Sequence, residues 1–132
     1  MSLLSPYFLS ISNFLNILLA TSVIGICAIG STFVISSAGL DLSVGSVMGL
    51  AGVAGAVVMT QFELNWVFGI LACIIAGGVA GFFNGLLVTR AQIPAFIVTL
   101  GMLGVARGAA LLLCDGKPIY GLSNGFLFLG QG

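Results

Sequence analysis

Residues 66–88 read WVFGILACIIAGGVAGFFNGLLV, a run with no charged residue. At about 1.5 Å rise per residue a helix of this length reaches roughly 34 Å, enough to cross a hydrocarbon core of about 30 Å. Glycine and alanine recur through it, which lets helix backbones approach closely in lipid. This stretch therefore reads as a membrane-spanning helix that packs against others.

Working outward, three further apolar runs emerge: 13–35 (NFLNILLATSVIGICAIGSTFVI), 42–59 (LSVGSVMGLAGVAGAVVM) and 94–113 (PAFIVTLGMLGVARGAALLL). The fold expected is all-α, a polytopic membrane protein of about four transmembrane helices with a glycine-rich break before the second. Pro94 suits a first helical turn. The segment SPYFLSIS before the first run places Tyr7 at headgroup level, and TQFELNW supplies an interfacial Trp66. Residues 114–132 are expected to form an outer loop, and the whole of 1–132 a single transmembrane unit without linker or repeat.

Composition agrees. The 132 residues are 60% hydrophobic and 5% charged, with three basic residues, three acidic residues and no histidine. Soluble domains carry about 25% charged residues, so membrane lipid is the expected solvent. A net charge of zero leaves no basic patch for nucleic acid. Cys27, Cys73 and Cys114 fit no metal spacing or small disulfide framework and read as small apolar residues. No Lys or Arg occurs in residues 1–40, so no cleaved signal segment is expected.

Enzymatic readings fail on the residues. Histidine is absent, there is no serine nucleophile elbow, and DGKPI lacks the glycine spacing and the Ser/Thr after Lys of a phosphate loop. No catalytic residue, metal or cofactor is expected. An ion-coupled carrier would need acidic residues in several spans, and Asp41 is the one candidate.

Four features carry potential function. In SSAGLDLSVGS (36–46), Asp41 is the first charge in the chain. A short acceptor before an apolar run is suited to bind the orphan N–H groups of the next helix, and Ser43 to do the same. A break at membrane depth is tolerated where protein buries it or where it lines a water-filled cavity. Asn84 is the polar candidate on the third span. Arg107 lies inside the fourth, where a guanidinium costs about 2.5 kcal/mol or more at the bilayer centre; it either snorkels to the interface along its stem or faces a cavity or another helix. Gly77, Gly81 and Gly85, with Gly45 and Gly49, with Ala51 and Gly55 and with Gly104 and Gly108, recur at spacing four and are expected to be helix-packing faces, a substrate-facing wall being the alternative for the third span. If Arg90 is cytoplasmic, Asp41 lies on that side, Glu63 and 115–132 lie outside, and the first span begins outside.

ISSAGLDLSVGSVMGLAGV, GFFNGLLVTRAQIPAFIVTLGMLGVARGAALLL and GKPIYGL, in this order and spacing, resemble the permease subunits of ribose-type ABC importers, which also serve other monosaccharides and autoinducer-2. The combination of Asp41 to Ser46 with Ile93 to Phe96 and Arg107-Gly108 carries the resemblance. It implies an inner-membrane, multi-pass permease that forms part of a sugar translocation pathway. A second permease subunit, identical or different, a cytoplasmic ABC ATPase and a periplasmic or lipid-anchored sugar-binding protein would be its partners. Gly116 to Gly121 would then be an outer docking loop. Members of that family are longer, with spans before SPYFLS and after GKPI, so a truncated chain, a permease fragment and a split permease are all expected readings. The rival is a non-transporting membrane assembly or scaffold subunit in which the glycine faces merely bind other helices.

Overall fold

The computed structural model describes residues 10–122 and 124–131. They form five helices, α1 (Ile11–Ser36), α2 (Val44–Thr60), α3 (Trp66–Thr89), α4 (Ala95–Leu113) and α5 (Asn124–Gln131), and no strand occurs among them. Helices α1, α3 and α4 are long and apolar enough to cross a membrane, and α2 is a shorter apolar helix. Four helices thus stand where the four apolar runs predict them. Pro6 and Tyr7 lie outside the described residues.

The differences are local and each has a cause. Helix α2 begins at Val44 rather than Leu42, because the Asp41 side chain engages the backbone of Ser43 and holds residues 41–43 out of the helix. Pro94 sits one position outside α4 as its N-cap, with an extended ψ of 132°. Its carbonyl accepts from the amides of Ile97 and Val98. The 114–132 segment, expected as a loop, contains α5. There Gly125 lies flat on Trp66: a β-carbon at that glycine would come within 3.0 Å of the indole. Apolar residues Phe126, Leu127 and Phe128 occupy the eight-residue helix, too short for a span and therefore easily read as loop.

Helix α2 is the centre of the assembly, packing along α3 and along α4, which touch each other less. Its contact with α3 is antiparallel. Ser43 meets Asn84 at one end, and Gly55 and Met59 meet Gly69 at the other. The buried apolar core is small: Val57, Met59, Ala80, Val98 and Ala106. Helix α1 has no buried residue and presents its apolar side chains outward all round, as a helix surrounded by lipid or by further helices does.

Of the glycines expected to pack, Gly55 does so and seven do not within the described residues. A β-carbon at Gly45, Gly49, Gly77, Gly81, Gly85, Gly104 or Gly108 would meet nothing within 4 Å. The close approaches are at Gly55, where it would strike the Cys73 sulfur and lie 2.9 Å from the Gly69 carbonyl oxygen, and at Gly69, where it would lie 2.7 Å from the Met59 side chain. Spacing of four identifies a narrow face but not the side of the bundle it takes.

Turning is achieved without glycine at the critical positions. Ala38, Glu63, Gln92 and Asp115 follow the ends of α1 to α4 with φ between 51° and 55°. Beyond them the amides of Gly39, Leu64, Ile93 and Gly116 fold back onto the carbonyls of Val34, Val58, Leu87 and Leu111. These left-handed closures satisfy carbonyls at the helix ends.

Candidate functional site

Five hydroxyls in the spans are spent on their own helix. Ser22, Thr32, Ser36, Thr60 and Thr89 each donate to a carbonyl three or four residues back, at 2.7–2.8 Å, a local bond that marks no site. Three polar side chains behave differently. Ser43, Asn84 and Thr99 are the buried polar residues of the described chain, at 1%, 8% and 4% exposure, and all three grip the segment between α1 and α2.

The grip is continuous. Asp41 Oδ1 accepts from the Ser43 amide at 2.8 Å and from the Ser43 hydroxyl at 2.7 Å. The Ser43 oxygen in turn accepts from Asn84 Nδ2 at 3.1 Å, joining the break to α3. From α4, Thr99 Oγ1 donates to the Leu40 carbonyl at 3.1 Å, with the Phe96 carbonyl of its own helix also within reach at 3.3 Å. Gly39 is pressed between α1 and α4, since a β-carbon there would lie 3.2 Å from Val34 and 3.6 Å from Ala95. The interrupted backbone is thereby supplied with partners from three directions, as non-helical chain inside a membrane requires.

The depth of the break follows from the helix registers. Asn84 precedes the end of α3 by five residues and Thr99 follows the start of α4 by four, so both sit roughly 6–8 Å inside the helical layer. Helix α2, at 17 residues, spans only about 26 Å, and residues 37–43 make up the remaining depth as unwound chain in which Ser43 is buried and Gly39 and Asp41 are half-buried.

Asp41 acts as an Asx-turn acceptor for the residue two ahead, not as the expected cap of several helical amides. Ser43 occupies the N-cap position but makes no side-chain cap bond, because its hydroxyl is committed between Asp41 and Asn84. That commitment fixes the Asn84 amide. The Ser43 proton goes to Asp41, so the Ser43 oxygen only accepts, and Asn84 must turn Nδ2 toward it. Asn84 Oδ1 is then left buried without a hydrogen-bond partner.

Two hollows flank this relay. One of about 290 Å³ lies between α2 and α3, walled by Asp41, Ser43, Val47, Gly77, Gly81 and Asn84. The other, about 380 Å³, lies among α1, α3 and α4 and shares Asp41, Gly81 and Asn84 while adding Ser37, Gly85 and Thr99. Gly77, Gly81 and Gly85 are thus the open side of these hollows. Arg107 is not brought to the relay. It is exposed and lines a separate hollow of about 370 Å³ between α2 and α4, with Leu42, Gly45, Ser46, Gly49, Leu103 and Ala110. Among the described residues no group of three or more His, Cys, Asp or Glu side chains is placed to hold a metal, and the three cysteines are free.

Thr99 escapes a reading of the sequence, whereas the close approach at Gly39 is legible from a glycine placed at the break. The available signal is that Thr99 is the single hydroxyl of the fourth span.

Comparison with known proteins gives the family setting. The family model described as branched-chain amino acid transport system / permease component matches residues 13–119. The ribose import permease protein RbsC of Haemophilus influenzae is 43% identical over 118 residues, covering 89% of this chain and 36% of the relative. RbsC of Escherichia coli K12 is 39% identical over the same shares. The autoinducer 2 import system permease protein LsrC of Yersinia pseudotuberculosis serotype O:3 is 44% identical over 119 residues, 87% of this chain and 32% of the relative. The chain spans about a third of the length of these relatives. No solved structure matches.

Proposed function

The chain belongs to this permease family, a family of multi-pass membrane transport components rather than enzymes, and from that premise we propose that it forms part of the substrate translocation pathway of an ATP-driven sugar importer of the ABC type. The supporting observation is the Asp41–Ser43–Asn84 relay, buried at Ser43 and Asn84, which holds an unwound segment open to two hollows at membrane depth. Broken helices of this kind build transport sites because their backbone and polar side chains are available to a solute that crosses lipid. The sugar assignment is supported by relatives named for ribose and autoinducer-2 import. Asp41, Ser43 and Asn84 supply mainly acceptors, with no basic group beside them, which suits a neutral solute rich in hydroxyl donors.

In this reading the chain guides substrate and performs no chemistry. A cytoplasmic ABC ATPase hydrolyses ATP, a second permease subunit completes the pathway, and a periplasmic or lipid-anchored sugar-binding protein delivers substrate, with residues 116–121 on the outer face of the bacterial inner membrane. The test is radiolabelled sugar uptake by a full-length permease carrying these residues. ATP depletion should stop uptake and an uncoupler should not; the reverse pattern sinks the ABC reading. Asp41→Ala should reduce uptake severalfold with the permease still in the membrane, and unchanged uptake would remove the relay from the pathway.

The assembly reading has one observation in its favour, the open space over Gly45, Gly49, Gly104 and Gly108. Copurification separates the two: a permease brings down an ATPase subunit and a scaffold does not.

A further inference from the structure

Arg107 poses a separate problem. It stands in the thirteenth position of the 19-residue α4, well inside a span, and makes no ion pair or hydrogen bond among the described residues. A helical side chain leans toward its own N-terminus, which for α4 is the Ala95 end, away from the nearer terminus at Leu113. The hollow it lines is shared with Leu42 and Gly45, at the start of α2. Both facts take the guanidinium toward the interior of the span and away from a snorkelling route to the closer interface.

The walls of that hollow do not provide for it. Apart from Ser46 they are aliphatic or small, and Gly45 and Gly49 have empty space where a β-carbon would stand. A solute passage would need further polar groups, and these lie elsewhere, on the relay that joins α2 to α3. A groove floored by glycine admits a helix backbone closely, and a guanidinium presents a planar fork of donors that a carboxylate matches with two hydrogen bonds.

We propose that the α2–α4 groove is the seat of a further membrane helix of the same permease, one that presents an aspartate or glutamate to Arg107. The acid must come from outside the 132 residues. Asp41 is tied into the relay, while Glu63 and Asp115 lie beyond the ends of α2 and α4. About two thirds of each relative's length lies outside the matched stretch, which is ample chain to supply such a helix. The proposal rests on the chain acting within a longer permease. Its read-outs are protein accumulation and labelling, so the transport reading can fail while this one stands.

The experiment uses the intact permease in membrane vesicles. With Gly49→Cys, a membrane-impermeant maleimide applied to either face should label about tenfold more slowly than Gln61→Cys beyond the end of α2, because a seated helix covers the groove. Comparable labelling from either face would mean a water-filled groove and would overturn the proposal. Separately, Arg107→Glu should lower the amount of permease in the membrane severalfold, and changing one Asp or Glu in a membrane helix outside these residues to Lys or Arg should restore it. Wild-type accumulation of both Arg107→Glu and Arg107→Gln, or restoration only through Asp41, Glu63 or Asp115, or no restoring position at all, would refute it.

Discussion

Ser43 has a larger part than its size suggests, because its hydroxyl both donates to Asp41 and is, among the described residues, the acceptor that Asn84 Nδ2 has. Ser43→Ala strands both ends of a carboxamide that is already short of one partner. A buried polar group left unpaired costs about 1–3 kcal/mol. Asn84→Ala removes the needy group along with its bond. The double variant should therefore be less destabilised than the two single losses added, with a coupling of about 1 kcal/mol or more, measured by thermal unfolding in detergent; additive losses would mean that the relay is not a unit. Asp41→Ala differs, since it frees the Ser43 proton for Asn84 Oδ1 after an amide flip, and it should cost less stability than Ser43→Ala. A second residue-scale expectation concerns Ala38, held at φ 55° behind α1. Ala38→Gly relieves a left-handed alanine and should raise stability by roughly 1 kcal/mol, whereas Gly39→Val, next to it, should lower stability because Val34 and Ala95 already fill that space.

Among the elements, the α2–α3 seam determines how far the glycine pattern can be trusted. At Gly55 an added β-carbon runs into the Cys73 sulfur and the Gly69 backbone oxygen, and backbone cannot step aside. At Gly69 the obstacle is the Met59 side chain, which is flexible. Gly55→Ala should thus cost about 1–3 kcal/mol by forcing the helices apart, Gly69→Ala clearly less, and Gly77→Ala close to nothing within this bundle, in the same unfolding assay. An equal loss at all three would mean that helix propensity or lipid contact, not the seam, controls stability. This contrast also marks the limit of what the sequence shows. Four helices were legible because twenty or so apolar residues in a row have one physical solution in lipid. Which glycines touch was not legible, since a spacing of four is the same for a face that meets α3 and for one that borders a hollow. The break before α2 was visible in Asp41 among glycines, but its hold on α3 and α4 was not, because hydrogen bonds spanning 41 and 59 residues leave no local pattern. Helix α5 was hidden by its length.

At the scale of the whole molecule, α2 is wedged between α3 and α4 while α1 stands apart with no buried residue, so the two hollows beside the relay are bounded by few walls and are sensitive to anything placed in them. Gly81 borders both hollows, is exposed, and has nothing within 4 Å of a prospective β-carbon. A leucine there projects about four heavy atoms into the space beside Asp41 and Asn84, its β-carbon meeting nothing within 4 Å among the described residues. If the hollows belong to the pathway, Gly81→Leu should leave the full-length permease in the membrane at near-normal amount and reduce sugar uptake about tenfold or more, the block being steric. If Gly81 instead packs against a helix from elsewhere in the assembly, the same change should lower accumulation and ATPase copurification together with uptake, and Gly81→Ala should show a smaller version of that loss. Quantitative immunoblotting of membranes alongside initial uptake rates tells the two apart, and normal uptake at normal accumulation would exclude Gly81 from both roles and shift the search for the pathway away from α3.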